Sequence, residues 1–324
     1  MNRCVEDELR RVEEVRVHDV VDTHHHLWVR ARTPQDWIDP TTMAVIDADF
    51  TAADLPAAAH GVAATVVVQS ASLWSESREL LAVAASPEGE AAHVAGAVVW
   101  ADLTAPDLPE RLVALREGTG GDRLVGVRAM VQAEPDPGYL DRPDVRAGIA
   151  AVGAAGLAYD LVVRDHQLRA AARLAAALPG VRLVLDHLGK PRLDAPPDAD
   201  RLGPWRADLV ALAAHPNVCA KLSGLVTEAR WDAWTTDDLR PAVEHAVEVF
   251  GPDRLMFGSD WPVCLLASGY ERWLATTTEL LAGLTGAEQR AVWGGTARRV
   301  YDLPRVATST TTTPSDHHAE EAHP

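Results

Sequence analysis

Histidine and aspartate side chains follow three of the apolar segments of this sequence. They are His24 and His26 in VVDTHHHLW (20–28), His187 in LVLDHLGKP (183–191) and Asp260 in MFGSDWPVC (256–264). Imidazole and carboxylate groups bind divalent metals, and the same groups act as general bases or polarise a carbonyl oxygen. The four residues are therefore both the candidate catalytic residues and the candidate ligands of one metal ion.

Because side chains alternate along a strand, the three consecutive histidines 24–26 are expected to divide between its two faces. Asp22, His24 and His26 are expected on one face of the strand, where two histidines could converge on one ion. Thr23 and His25 are expected on the other face, where His25 would be a structural histidine. Taken alone, the HxH spacing is a weak signal, and surface or capping histidines remain an alternative.

Eight short apolar segments predict strands, and segments rich in helix formers separate them. The predicted strands cover 18–24, 64–69, 93–99, 124–130, 157–163, 181–187, 217–222 and 254–258, and clear helical segments cover 75–86, 143–155, 166–178 and 238–250. Continuous apolar strands indicate a parallel sheet that is buried on both faces. Eight alternations over this length predict an α/β fold, a single (β/α)8 TIM barrel. An open doubly wound sheet is the rival, but no GxGxxG follows the first strand.

This fold would bring the four candidate residues together. His24 and His26 end strand one, His187 follows strand six and Asp260 follows strand eight. Active sites of such barrels lie at the carboxyl ends of the strands, so the four side chains are expected to converge there. An aspartate after a Gly-Ser turn could instead cap a helix.

Further polar and aromatic residues follow the predicted strands and are candidates for binding a substrate. They are Arg128, Lys190, Lys221, Gln69, Trp28 and Trp261, with Trp74 and Trp100 in similar positions. A guanidinium offers a two-pronged donor to carboxylates and hydroxyls, and an indole offers an apolar wall with one polar group. Lys190 and Lys221 are the two lysines of the chain, and chance placement or capping of carbonyls is the alternative for both.

Composition limits the function. A net charge of −17 disfavours nucleic acid and anionic membranes as partners. Cys4, Cys219 and Cys264 form neither a metal spacing nor an even disulfide set, which favours a reduced, cytoplasmic location. Neither a membrane-span pattern nor a signal-peptide pattern is present, and no Gly-x-Ser-x-Gly or cysteine–histidine motif indicates covalent catalysis.

These motifs in combination resemble the amidohydrolase superfamily. HxH after strand one, GVR at strand four, DHLGKP at strand six and FGSDWPV at strand eight are similar to its sugar lactonase branch, which includes L-fuconolactonase, L-rhamnonolactonase and 2-pyrone-4,6-dicarboxylate lactonase. The similarity runs from about residue 18 to 302. It implies a metal-dependent-hydrolase type of barrel in which His24, His26, His187 and Asp260 form the catalytic cluster.

The resemblance also limits the metal content. Many members hold two metals with a carbamylated lysine on strand four or a histidine on strand five. Strand four here supplies Arg128, and strand five contains no histidine, because His166 follows it. The resemblance therefore implies at most one divalent ion, zinc or manganese, and also allows a metal-independent reaction.

The sequence thus predicts a hydrolase that opens the ring ester of a sugar-acid lactone or a related small lactone. Asp260 would activate water, while Arg128 and Lys190 would orient the substrate. Alternatives are a mononuclear zinc amidohydrolase, an aromatic-acid decarboxylase of the same superfamily, and a barrel that binds a metabolite without catalysis. The predicted organisation is an N-terminal extension (1–17), a barrel domain (18–302) and a disordered tail (303–324), with the oligomeric state left open.

Overall fold

The barrel consists of eight parallel strands in sequential order. A computed structural model describes residues 19–194 and 202–304 of the chain. The strands are β1 (Val21–His25), β2 (Ala64–Val68), β3 (Val94–Val99), β4 (Leu124–Ala129), β5 (Ala158–Leu161), β6 (Leu183–Leu185), β7 (Val218–Leu222) and β8 (Leu255–Phe257). Each strand pairs with the next in parallel, and a bridge from His25 to Trp261 links the first strand to the segment after the last. The predicted (β/α)8 fold is confirmed, with strand bounds close to those expected.

Helices surround the barrel, and the last of them packs against its inner core. They are α1 (Trp74–Ala84), α2 (Pro87–Ala91), α3 (Leu108–Glu117), α4 (Pro143–Ala154), α5 (Leu168–Ala177), α6 (Leu202–Ala213), α7 (Thr236–Phe250), α8 (Tyr270–Leu280), α9 (Gly286–Arg290) and α10 (Thr296–Tyr301). The helix predicted over 238–250 begins two residues earlier, at Thr236, and it contains Pro241.

The inside of the barrel is a separate small core. Alternate strand residues meet there, among them Val66, Val98, Ala158, Val184 and Cys219, and residues of α10 pack against them. Two positions further along three of these strands, the same faces carry the buried charged residues Asp160, Asp186 and Lys221. An apolar layer therefore lies beneath a charged layer, which in turn is close to the carboxyl ends of the strands.

An irregularity in β1 overturns part of the predicted alternation. The register of β1 against β2 shifts between Asp22 and His25. Val21 belongs to the inner core and His24 also points inward, three residues on, whereas Asp22 turns to the helices and accepts a hydrogen bond from Tyr270 of α8 at 3.0 Å. The expectation that Asp22 shares a face with His24 and His26 is wrong, because a bulge reverses the pattern at this point.

The long segment after β1 forms a structured loop with an apolar core of its own. Trp28 pairs with Phe50 across an antiparallel bridge, and Trp28 packs with Ile38 and Ile46. Gln35 donates to the hydroxyl of Ser70 at 3.0 Å, which fastens the loop to the end of β2. This loop therefore has a fixed position beside the barrel opening.

The ends of the chain were predicted as an extension (1–17) and a tail (303–324). The first lies outside the described residues, and of the second the structure describes 303 and 304. The domain bounds stay a prediction. Within residues 19–194 and 202–304, no helix has the length and apolar character that a membrane span requires.

Candidate active site

Asp260 lies at the centre of the histidine cluster. Its Oδ1 is 3.6 Å from Nε2 of His24, 3.5 Å from Nε2 of His26 and 3.9 Å from Nε2 of His187. All four side chains are almost fully buried at the carboxyl ends of β1, β6 and β8. The structure brings together the four residues that the sequence singled out.

Backbone and hydroxyl groups behind the histidines fix their orientation. Nδ1 of His26 lies 2.8 Å from the carbonyl oxygen of Val68, so this nitrogen carries the proton and Nε2 keeps its lone pair. Nδ1 of His187 is 2.9 Å from the hydroxyl of Ser223, which can donate or accept. Each histidine therefore directs Nε2 towards Asp260 and uses Nδ1 for support.

The donor set suits a single divalent ion. Ligand atoms of His24, His26 and Asp260 lie within 4.8 Å of one another, and His24, Asp186 and His187 form a second such group. Two ligands at about 2.1 Å from a tetrahedral ion are about 3.4 Å apart, close to the distance from His26 to Asp260. Because His26 Nε2 and the Asp260 carboxylate are both acceptors, an electropositive group between them would be stabilising. The residues present could therefore hold one metal ion, and His24 belongs to both groups.

Burial controls the charges in the cluster. It lowers the pKa of His187 to about 4, although Asp260 and Asp186 act in the opposite direction. Burial also lowers the pKa of His24 well below its usual value. Burial by itself would raise the pKa of Asp260, but His187, His26 and His24 outweigh it and hold that pKa far below its usual range. At neutral pH the imidazoles of His24 and His187 are therefore neutral, and the Asp260 carboxylate between them is ionised.

A buried ion network lies directly behind His24. Lys221 Nζ is 2.5 Å from Asp160 Oδ2, 2.9 Å from Asp186 Oδ1 and 3.2 Å from Nδ1 of His24. Tyr301 of α10 donates to Asp160 at 2.8 Å. Burial raises the pKa of Asp160 to about 6 despite Lys221, whereas Lys221 and His24 hold the pKa of Asp186 well below its usual value against the effect of burial. Lys221 is fully buried among protein partners, so it supports His24 from behind.

Arg128 and Gln69 lie on the other side of His24. The guanidinium NH1 of Arg128 is 2.9 Å from Asp186 Oδ2 and 3.3 Å from Nε2 of His24. Its NH2 donates to the carbonyl oxygen of Gln69, and the Gln69 amide nitrogen lies 3.4 Å from the carbonyl oxygen of Arg128. Both terminal nitrogens of Arg128 therefore have protein partners.

Left-handed backbone conformations shape the segments around the cluster. His187 and Asp260 have φ values of 54° and 58°, which are uncommon for residues with a side chain and are concentrated at functional sites. Gly224, at φ 62°, lies against both: a Cβ there would be 2.5 Å from His187 Nδ1 and 3.0 Å from Asp260 Oδ2. The cluster is this compact because position 224 has no side chain.

The remaining candidates lie around the cluster. Lys190 is partly buried and pairs with Glu228 at 3.3 Å. The Trp28 ring is 6.2 Å from the His26 ring, yet its indole nitrogen donates to Ala48 within the loop. Trp261 is buried against Phe50. Substrate contacts by Lys190, Trp28 and Trp261 stay a prediction, as do those of Trp74 and Trp100, which are partly exposed.

His25 and five residues that the sequence did not single out lie around the cluster. His25 turns away from the cluster, as predicted, and contacts Thr65 at 3.0 Å. Sequence reasoning missed five residues that support the cluster: Asp160, Asp186, Ser223, Gly224 and Tyr301. One signal was present, because a charged residue inside an apolar buried strand requires a partner, as with the aspartate of YDLVV and the lysine of CAKL.

Comparison with known proteins decides the family. The amidohydrolase family profile matches residues 21–303, nearly the whole described chain. The chain belongs to the amidohydrolase family. It is 40% identical over 301 residues to an L-fucono-1,5-lactonase of Burkholderia multivorans, an alignment that covers 89% of this chain and 97% of that protein. An L-fucono-1,5-lactonase of Burkholderia ambifaria is 37% identical over 293 residues, covering 88% and 96% of the two chains.

A solved structure of this amidohydrolase group has the same fold. It is an amidohydrolase from Burkholderia multivorans with bound zinc, 38% identical to this chain, with a TM-score of 0.80. The match covers 88% of this chain and all of that one. The resemblance inferred from four short motifs is confirmed over the full length of the barrel.

Proposed function

We propose that this amidohydrolase hydrolyses the ring ester of a sugar-acid lactone, of the 1,5-lactone class on which its relatives are named. The observation that carries the proposal is the convergence of three imidazole Nε2 atoms within 3.9 Å of the Asp260 carboxylate. It is supported by 40% identity to an L-fucono-1,5-lactonase over nearly the full length of both chains.

Asp260 is the proposed general base. Its carboxylate is ionised at neutral pH, and Oδ1 is held among the three imidazoles. Asp260 takes a proton from water as the water oxygen attacks the lactone carbonyl carbon. When the tetrahedral intermediate collapses, the bond from this carbon to the ring oxygen breaks, and the proton passes to the departing alkoxide. The product is an open-chain hydroxy acid.

The developing oxyanion requires positive or hydrogen-bonding groups. Ser223 can donate its hydroxyl proton to His187 Nδ1, which leaves an N–H at Nε2 for the substrate. A divalent ion on His24, His26 and Asp260 would act as a Lewis acid towards the same oxygen. His24 and His26 are therefore assigned to hold the cation, and His187 to hydrogen-bond with the substrate.

The contacts with the sugar hydroxyls are assigned to the opening of the barrel. Lys190 is proposed to bind there, because its side chain keeps 18% of its surface exposed while it pairs with Glu228. Trp28 and Trp261 are proposed to form an apolar wall for the substrate, together with the loop that follows β1. Lys221 is assigned to the support of His24, because its ammonium is fully buried.

A panel of aldono-1,5-lactones and 1,4-lactones, with a pyrone and a muconolactone, tests the proposal in a pH-indicator assay. The panel is run with and without a chelator. We expect turnover of one 1,5-lactone class, and a loss of at least about a hundredfold in kcat for Asp260→Asn, the order of magnitude of one general base. His245→Gln is the control, since His245 lies on α7, away from the cluster.

Other outcomes favour the alternative functions. Full activity in Asp260→Asn would refute the assignment of Asp260 as the general base. Turnover of an aromatic acid with release of carbon dioxide would favour a decarboxylase, and amide hydrolysis would favour a zinc amidohydrolase. Binding of a lactone without turnover would favour a metabolite-binding barrel.

A further inference from the structure

Arg128 occupies the side of His24 on which a metal would bind. Its NH1 is 3.3 Å from Nε2 of His24, and this is the nitrogen that faces Asp260. NH1 is also 2.9 Å from Asp186, and NH2 donates to the carbonyl oxygen of Gln69. The Arg128 side chain is 3% exposed and its guanidinium contacts three groups, so it cannot turn away from His24 without losing buried hydrogen bonds.

A neutral imidazole has one lone pair, and the surroundings of His24 decide where it lies. Nδ1 is 3.3 Å from Asp186 Oδ1, an acceptor, and 3.2 Å from Lys221 Nζ, a donor. If Nδ1 donates to Asp186, the lone pair is on Nε2 and receives the N–H of Arg128. If Nδ1 accepts from Lys221, Nε2 carries the proton and has no lone pair for a cation. In both arrangements, metal binding through Nε2 removes an existing interaction of His24.

Repulsion from the positive charge of Arg128 also disfavours a cation at Nε2 of His24. A cation on Nε2 of His24 would stand beside a buried guanidinium that Asp186 and Gln69 keep in place. Repulsion between two positive groups in a buried site is strong, because little water screens it. Both candidate ligand groups contain His24, so neither group avoids Arg128.

We propose that Arg128 competes with a divalent cation for the Nε2 lone pair of His24, so that this site binds zinc weakly and Arg128 supplies the positive charge when the cation is absent. The proposal deepens the proposed function, since it names the group that acts where a metal would. It also assigns Arg128 to the cluster itself, in place of an orienting contact with the substrate.

The test is zinc affinity, measured on the full-length metal-free protein by competition with a chromophoric chelator. We expect Arg128→Met to bind zinc at least tenfold more tightly than the wild type, about 1.4 kcal/mol. Cobalt absorption spectra of the same variant should show a nitrogen and oxygen ligand set. His26→Gln added to Arg128→Met should abolish the gain, which ties it to this cluster.

Two further variants separate competition from general charge. Lys190→Met removes a positive charge near the opening without touching His24, and should change zinc affinity less than threefold. Arg128→Lys keeps the charge next to Asp186 but lacks the second terminal nitrogen, so we expect a smaller gain in zinc affinity. If Arg128→Met does not fold, Arg128→Lys alone tests whether residue 128 competes with zinc. Variants that fold and bind zinc no more tightly than the wild type would overturn the proposal. Because no lactone is used, this failure would leave the lactonase proposal standing.

Discussion

Gly224 offers a direct test of how closely the cluster of His24, His26, His187 and Asp260 is packed. In Gly224→Ala, the added Cβ would lie 2.5 Å from His187 Nδ1 and 2.8 Å from its Cγ, whereas ordinary contacts begin at 3.4 Å. The imidazole would have to withdraw by about 0.9 Å, the difference between these distances. Displacements of about 1 Å at a reacting group cost roughly a hundredfold in rate. We therefore expect kcat for the lactone to fall by about that factor.

The same substitution also strains the backbone, and a second glycine separates the two effects. Gly224 has φ 62°, and alanine in this region costs about 1–2 kcal/mol. Gly156 has φ 75°, but a Cβ there would meet nothing within 4 Å. Gly156→Ala should therefore lose a similar free energy of unfolding and keep its kcat.

Both variants are compared in urea unfolding and in steady-state lactone hydrolysis. The expected result is a shared loss of stability with a loss of kcat confined to Gly224→Ala. If Gly224→Ala retained wild-type kcat, the position of His187 would not limit the reaction, and the assignment of His187 to the substrate oxyanion would be wrong.

Two further predictions concern buried titratable groups. Burial lowers the pKa of His25 to about 3, so between this value and 6.5 the unfolded chain binds a proton that the folded chain does not, and stability falls as pH falls. From pH 7 to pH 5, His25→Gln should lose about 2 kcal/mol less of its unfolding free energy than the wild type, at about 1.36 kcal/mol per pH unit below 6.5; equal losses in urea titrations would contradict this. Tyr301→Phe should lower the unfolding free energy by about 1.5–3 kcal/mol, because it removes a hydrogen bond to the buried carboxylate of Asp160. Tyr139→Phe is its control, since the Tyr139 hydroxyl forms no hydrogen bond with a residue that the structure describes. Equal losses of unfolding free energy in the two variants would contradict a stabilising role for the hydrogen bond from Tyr301 to Asp160.

The strands and the four central residues were predictable because each leaves a local signal. Apolar segments of the right length mark the strands, and polar residues at their carboxyl ends mark the opening of the barrel. His24, His26, His187 and Asp260 follow from these two rules, and the structure brings them together. Their roles in catalysis remain predictions for the assays above.

The supporting groups were not predictable because they depend on contacts between distant strands. Lys221 meets Asp160 across 61 residues of sequence, and no local pattern states which charges will pair. The bulge in β1 reverses the alternation at Asp22, and a bulge has no reliable mark in a single sequence. Arg128 was predicted to bind the substrate, and its contacts with Asp186 and Gln69 depend on side-chain packing that spacing does not encode.

The closure of the barrel between its first strand and the segment after its last has a consequence for biosynthesis. Asp260 donates its backbone N–H to His24 at 2.7 Å, and His26 donates to Trp261 at 2.6 Å, so the two halves of the cluster are made at opposite ends of translation. At the usual rate of translation, Asp260 is synthesised roughly 10–50 s after His24. On the proposed mechanism, a nascent chain lacks its general base until Asp260 has been made, and a fragment cut before β8 is expected to regain activity only when the missing segment is supplied in trans.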